Sequence, residues 1–265
     1  VISSITVKDC IWRVGVLLSD VAPQYTRWSE AEIVNYVNDG QLAIVKFLPA
    51  ACARIDAIKL KPGTRQSIEQ IAAADCKPGD GSTPAAPILG TQLLDVIRNM
   101  GADGLTPGNP VRLIPDGRET LDVTSPSWHT VTSQQVAHYI FDPRAPTHFY
   151  VSPGVPASPA VWAELMFAAQ PLKVPPGGVP GSPVYAIDGA SALKLSVSDE
   201  NVDDLVNYVV ARCYMKQSNA GSQDRAAHFT GLFTGSLNAR VLALTGNNPN
   251  LKRLPFAQTP IGQAS

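Results

Sequence analysis

The sequence predicts an α+β protein: a helical bundle of N- and C-terminal helices with an inserted, mainly antiparallel β-domain. Three observations carry the expectation. Apolar residues recur at helical spacing near both ends, over 6–20, 29–48 and 199–244. From Arg54 the period changes to two. Between 61 and 190, turn compositions rich in proline and glycine break the chain into short apolar runs. The expected division is a discontinuous helical domain of 1–50 and 191–246, a β-domain of 51–190, and an extended arm of 247–265.

The first helix, near 6–20, opens with Thr6 three residues before Asp9, a capping pair, and Val7, Ile11, Val14, Leu17 and Leu18 follow at helical spacing. Lys8, Asp9 and Arg13 among these positions suit an amphipathic helix better than a signal peptide, so secretion is not expected. After Pro23, Ser29 and Glu32 form an S-x-x-E capping box, with Trp28 and Ile33 spaced as a hydrophobic staple. Ile33, Tyr36, Val37, Ile44 and Phe47 mark the buried stripe of this second helix, which Pro49 closes.

In the β-region, Lys61-Pro62-Gly63-Thr64 has the residues of a type II turn. Residues 69–87 and 101–110 read as exposed loops around a short apolar segment, Leu93 to Ile97, with a strand expected at Val111 to Ile114. Glu119 and Asp122, beside Arg118 and Thr120, read as a solvated turn. Val136–Phe141 and His148–Val151 flank Asp142-Pro143-Arg144-Ala145-Pro146 and predict a hairpin. Pairing Tyr139 with Phe149 puts Ala137, Tyr139, Phe141, Phe149 and Val151 on one core face, with His138 and His148 on the other. Val161–Ala169 supplies a further strand, and 171–190 a long loop that needs a covering partner.

A third helix is expected near 199–217 behind Ser198, burying Val202, Leu205, Val206, Val209 and Cys213. The last runs from about Gln223 to Leu244 after Ser222, burying Phe229, Leu232, Phe233 and Leu237, with Gly246 as its C-terminal cap. In the tail, Asn247-Asn248-Pro249-Asn250 builds no core, but Leu251, Leu254, Phe256 and Ile261 offer anchors for ordering against a neighbouring chain.

Composition narrows the function. Charged residues make up 16% of the chain, where about 25% is ordinary. Charge is depleted where protein faces protein, so much of this exterior is expected to meet neighbours. A net charge of −1 lacks the basic footprint of a protein that grips nucleic acid by its phosphates. No apolar run is long enough for a membrane span. Cys10, Cys52, Cys76 and Cys213 have neither zinc-site nor disulfide-framework spacing and read as buried thiols of a reducing cytosol.

Catalytic signals are missing: no G-x-S-x-G, H-E-x-x-H, phosphate-binding glycine loop or dinucleotide fingerprint occurs. No catalytic residue, cofactor or metal is expected. His129, His138 and His148 read as surface histidines rather than a triad or metal site. Trp128-His129 is either a contact surface or a tryptophan plugging the edge of the β-core, the latter favoured. Arg144 and Asp142 are turn formers with a lesser role in touching an adjacent subunit. An alternative is a glycan-binding β-sandwich using Trp128, Tyr139 and Trp162, which requires those rings to be exposed.

Several runs taken in order carry a resemblance. Trp28-Ser29-Glu30-Ala31-Glu32-Ile33 with Asn35, Asn38 and Asp39, then Lys61-Pro62-Gly63-Thr64-Arg65-Gln66 and Leu94-Asp95-Val96-Ile97-Arg98-Asn99, come first. Arg118-Glu119-Thr120-Leu121-Asp122, Pro126-Ser127-Trp128-His129, Phe141-Asp142-Pro143-Arg144, Phe149-Tyr150-Val151 and Asp204-Leu205-Val206-Asn207-Tyr208 with Tyr214 follow. This order resembles the phage head-to-tail adaptor, or connector, proteins, distantly similar to tail tubular protein A of short-tailed phages. The resemblance implies a virion protein made in the host cytoplasm, in a ring of twelve subunits under the portal protein. Its helical part would face the portal and its β-part the tail or nozzle protein, with a channel through which DNA passes without specific binding. It implies no catalytic residues. Trp128, His129, Arg144, Leu251, Leu254, Phe256 and Ile261 are the candidate contacts with subunits or partners.

Overall fold

Thr6 and Asp9 cap the first helix reciprocally. The Asp9 N–H donates to Thr6 Oγ1 at 3.1 Å, and the Thr6 N–H donates back to the Asp9 carboxylate at 3.2 Å. Helix α1 (Val7–Leu18) therefore starts one residue beyond Thr6, and it ends on Ser19 in the left-handed conformation. The computed structural model describes residues 3–20, 27–114, 117–174, 193–217 and 219–246. The mixed α+β class is as expected, with five α-helices and two mainly antiparallel sheets among the described residues. By its contacts the chain divides into two compact units, one of residues 1–4, 41–173 and 194–199, the other of 5–40, 174–193 and 200–265.

All nine strands among the described residues lie in the first unit. Strands β1 (Ala53–Lys59), β3 (Cys76–Pro78), β4 (Gly90–Met100), β5 (Pro107–Pro110) and β9 (Trp162–Ala169) form a sheet in the order β3-β1-β9-β4-β5. Strands β2 (Gly63–Ser67), β6 (Arg112–Leu113), β7 (His138–Phe141) and β8 (His148–Val155) form a second, in the order β2-β8-β7-β6. All pairings are antiparallel except β6 with β7. Gly63 stands at φ +100°, which its place in the Pro62-Gly63 turn requires, and that turn carries the chain from one sheet to the other.

The two sheets share a core. Ile58, Leu93, Val96, Leu165 and Phe167 of the first and Tyr139, Phe149 and Val151 of the second are buried. A cavity of about 20 Å³ remains between residues of both sheets, including Ile58, Leu165 and Phe149, room for about one water. Burial, with the hydrogen bond that its hydroxyl donates to Asp95 Oδ1 at 2.8 Å, pushes the titration of Tyr139 well above the usual tyrosine range.

Three sequence expectations are corrected in this unit. The apolar segment at Leu93–Ile97 is the centre of an eleven-residue strand, not a short piece between loops. The expected 101–110 loop contributes edge strand β5. Tyr139 pairs with Val151 and Phe141 with Phe149, two residues from the expected register. A slip of two preserves the faces, and Tyr139, Phe149 and Val151 are in the core as expected, but Ala137 is exposed, Phe141 is half-buried, and Ile140 on the opposite face is buried.

The regular structure of the second unit is helical among the described residues. It contains α1, the first eleven residues of α2 (Glu30–Phe47), α4 (Val202–Met215) and α5 (Ala220–Gly246). Val7, Cys10, Ile11 and Val14 of α1, Ile33, Val34 and Val37 of α2, and Val202, Leu205, Val206, Val209 and Cys213 of α4 are buried. Trp28 and Ile33 are buried together, as a staple requires, and the Trp28 indole donates to the Cys213 carbonyl at 3.1 Å. Helix α5 begins earlier than expected because Asn219, not Ser222, caps it: the Asn219 side chain accepts from the Ser222 N–H at 2.8 Å. Phe233 and Leu237 are buried, Phe229 is half-buried, and Leu232, expected inside, is 44% exposed. Most of the expected long loop of 171–190, from 175 onward, lies outside the described residues, as do tail residues 247–265.

Candidate interaction surface

Helix α3 (Gly117–Thr124) occupies the place where the sequence read a solvated turn. Its one well-used side chain is Asp122. The Trp128 indole N–H donates to Asp122 Oδ1 at 2.9 Å, Arg118 Nε lies 3.4 Å from Oδ2, and His129 Nε2 lies 3.9 Å from Oδ1. Trp128 is 3% exposed, with its ring edge-on to Tyr150 at 6.2 Å between centroids, and it covers the outer side of the second sheet. The His129 ring lies over the other side of Trp128, 3.7 Å between centroids, and is about half exposed. The segment beyond is tied to β8: Gly154 N–H donates to Val131 O, and Ser133 N–H to Gly154 O, each at 2.8 Å. A Cβ at Gly154 would meet Thr64 Cγ2 at 3.1 Å and Val131 O at 3.3 Å, so glycine permits this approach.

The candidate residues are therefore separated. Trp128 is a plug, and His129 is the solvent-facing half of the pair. Arg144 sits at the tip of the β7–β8 turn, 92% exposed and 3.4 Å from Asp142 Oδ1. Leu251, Leu254, Phe256 and Ile261 lie outside the described residues. Sequence reasoning missed Asp122 as the organising group. The available signal was a carboxylate six residues before a tryptophan whose N–H needs an acceptor once buried.

Around this surface Leu113, Val123 and Val131 are exposed, Val123 to 81%. The helical unit exposes Trp12, Val16 and Leu17 on α1 and Leu232, Leu242 and Leu244 on α5. Scattered apolar exposure is ordinary, but here it accompanies a low content of charge.

No reactive constellation accompanies these surfaces. His129 meets an Asp122 already engaged by Trp128, and His138 is a half-buried strand residue opposite Ser152. His148 Nδ1 lies 3.1 Å from Thr147 Oγ1, which also donates to Glu69 at 3.2 Å, at the end of a strand. The thiols of Cys10, Cys76 and Cys213 are each pushed up to about 12 by burial and stay protonated at neutral pH. Among the described residues, no group of three or more His, Cys, Asp or Glu is placed to hold a metal ion, and no helix is long and apolar enough to cross a membrane. The rings on which a glycan site would depend are buried: Trp128, Tyr139 and Trp162 are 3%, 6% and 6% exposed.

Among the described residues the two-sheet core holds a cavity of about 20 Å³, and the helices leave apolar side chains exposed. A profile of the SU10 adaptor protein family matches residues 5–253, and the chain belongs to that family of bacteriophage structural adaptors. This is not a class of enzymes. No curated protein matches the chain.

Proposed function

We propose that the chain is a head-to-tail adaptor that assembles into a ring, joins the portal protein to the tail or nozzle protein, and lines the channel through which DNA leaves the head. The observation that carries this reading is family membership over nearly the whole chain. A charged fraction of 16% and exposed Trp12, Val16, Leu17, Val123 and Leu242 support a molecule whose exterior is completed by neighbours. A net charge of −1 suits a conduit that lets DNA slide rather than holding it. Twelve copies would match the portal, with the helical domain of 1–50 and 191–246 toward it, the β-domain of 51–190 toward the tail, and the 247–265 arm laid on a neighbour. His129 and Arg144 would touch subunits or partners from the β-domain, with Trp128 holding His129 from beneath, and Leu251, Leu254, Phe256 and Ile261 from the arm.

Native mass spectrometry of the full chain, alone and with purified portal, tests this. The expected result is a closed ring, with portal acting as template where the free chain is dilute. A chain that stays monomeric at every concentration and ignores portal overturns the proposal.

A further inference from the structure

We infer that Asp80–Gly81 is a site of covalent backbone rearrangement, where the main chain passes through a cyclic imide to isoaspartate. Lys77, Thr106 and Trp162 hold the matching Asp103–Gly104 pair against the same reaction.

Asp–Gly pairs are open to this chemistry because no Cβ shields the glycine nitrogen. The Gly81 nitrogen bonds to Asp80 Cγ, and its proton leaves with the hydroxyl of the protonated carboxyl as water. Water then adds to the ring. Opening at Cγ restores aspartate, whereas opening at the main-chain carbonyl carbon leaves the chain running through Cγ, as isoaspartate. No reactant besides water takes part, and the product has the mass of the starting chain. Its backbone is one carbon longer directly after edge strand β3.

Asp80 and Asp103 sit in bends built alike. The Gly81 N–H donates to Pro78 O and the Gly104 N–H to Gly101 O, each at 2.8 Å, and the two glycines stand at φ +74° and +70°. Closure turns the peptide after the aspartate until its nitrogen faces Cγ, which breaks that bond in either bend.

What else must break differs. At Asp103 the carboxylate accepts the N–H groups of Leu105 and Thr106, each at 3.0 Å, and the Thr106 hydroxyl at 2.8 Å. The Lys77 ammonium donates to the Asp103 carbonyl, so the peptide that must turn is held at both its oxygen and its nitrogen. Gly104 is buried, and a Cβ built on it would lie 3.0 Å from both Lys77 Cδ and Trp162 Cδ2. At Asp80 the carboxylate is held by Ser82, whose N–H donates at 2.9 Å. Among the described residues the Asp80–Gly81 peptide has only its bond to Pro78, and Gly81 is exposed, with Leu105 at 3.9 Å as the nearest neighbour of a built Cβ. The carboxyl also has to take up a proton before its oxygen can leave, and the donors around Asp103 hold that group at about 2. Of the other Asp–Gly pairs, Asp39–Gly40 is inside helix α2 with Gly40 buried, and Asp116 and Asp188 lie outside the described residues.

The test ages the full folded chain at neutral pH in water enriched in heavy oxygen. Ring opening leaves that oxygen in the product, and peptide mapping with a protease that cuts before aspartate but not before isoaspartate locates it. Label and isoaspartate should accumulate at Asp80 at least about tenfold faster than at Asp39 or Asp103, the ratio set by the cost of local opening. Asp80→Glu should abolish the signal there. Lys77→Met and Thr106→Val should each speed labelling at Asp103, and two variants guard against one that fails to fold. Equal rates at Asp80 and Asp103 overturn the inference. So does an unlabelled Asp80 in the folded chain when urea-unfolded chain acquires label, or an Asp103 rate that neither folded variant changes.

Discussion

Asn99 and Val136 are joined as if they were neighbouring strand residues. The Val136 N–H donates to Asn99 Oδ1 at 2.8 Å, and Asn99 Nδ2 donates to the Val136 carbonyl at 2.7 Å and to the Asn109 carbonyl at 3.0 Å. Both residues are buried, so one side-chain amide satisfies the two backbone groups of Val136 away from water, and with them a third carbonyl on exposed Asn109. It also fixes the approach to β7 against β4. Asn99→Leu has similar volume and strands all three groups, and the expected loss is roughly 2–4 kcal/mol in urea unfolding. A midpoint unchanged by Asn99→Leu refutes this role.

Two aspartates bend the stability profile in opposite directions. Asp204, buried on α4, has its carboxyl raised by desolvation, partly offset by a hydrogen bond from Ser236 and reinforced by the charge of Asp203. A group held above its unfolded value binds its proton more tightly in the folded state. Its contribution is complete below the ordinary carboxylate value of 3.8 and is lost as pH rises through the folded value. Asp204→Asn should therefore raise the denaturation midpoint at neutral pH and change it little at low pH. Asp103 behaves conversely: the N–H groups of Leu105 and Thr106 and the Thr106 hydroxyl hold it at about 2. Its contribution is present above 3.8 and is lost as pH falls toward about 2. Asp103→Ala should therefore lower the midpoint at neutral pH and change it little near pH 2, and matched pH series of both variants check the two signs.

The elements legible in the sequence are those whose cause is local. Thr6 with Asp9, the apolar spacing of α4 and the two faces of the β7–β8 hairpin each follow from residues a few positions apart. Strand β4 was not legible, for a physical reason. Its pairing with β9 shifts register between Gly90 and Gln92, between Leu93 and Asp95, and between Val96 and Arg98. Buried residues therefore fall at Gly90, Leu93, Val96 and Asn99, every third position rather than every second. Helix α3 escaped notice because its residues are exposed or half-buried and leave no apolar stripe to read. The Asp122–Trp128 bond that organises the candidate surface depends on that helix, so it was out of reach for the same reason.

Trp128 should prove a stability residue before a binding residue. Trp128→Ala removes a buried indole over Tyr150 and leaves Asp122 without its donor, at an expected cost of about 3–5 kcal/mol. Trp128→Phe keeps most of the cover and loses the hydrogen bond, so it should cost distinctly less. His129→Ala and Arg144→Ala, whose side chains reach water, should stay within about 0.5 kcal/mol of wild type in thermal unfolding. A Trp128→Ala chain as stable as wild type contradicts the plug.

Glycines in the helices separate packing within the subunit from packing beyond it. A Cβ at Gly40 of α2 would lie 2.6 Å from Leu205 Cδ1 and 2.9 Å from Tyr208 Cδ1, so the close approach of α4 requires glycine there. Gly40→Ala gains about 1 kcal/mol of helix propensity. It also forces two core side chains to move, at about 1–3 kcal/mol, so the net change should be destabilising. Among the described residues, Gly231→Ala and Gly235→Ala on α5 meet nothing within 4 Å, so each should stabilise the isolated subunit by up to about 1 kcal/mol. If a neighbouring chain's backbone seats against Gly231, that gain comes with weaker self-association, whereas Gly40→Ala alters stability first. Unfolding curves of dilute subunit, set beside association measured on the same variants, separate the two kinds of glycine. A Gly231→Ala chain that is both more stable and equally able to assemble would mean that no backbone approaches that glycine closely.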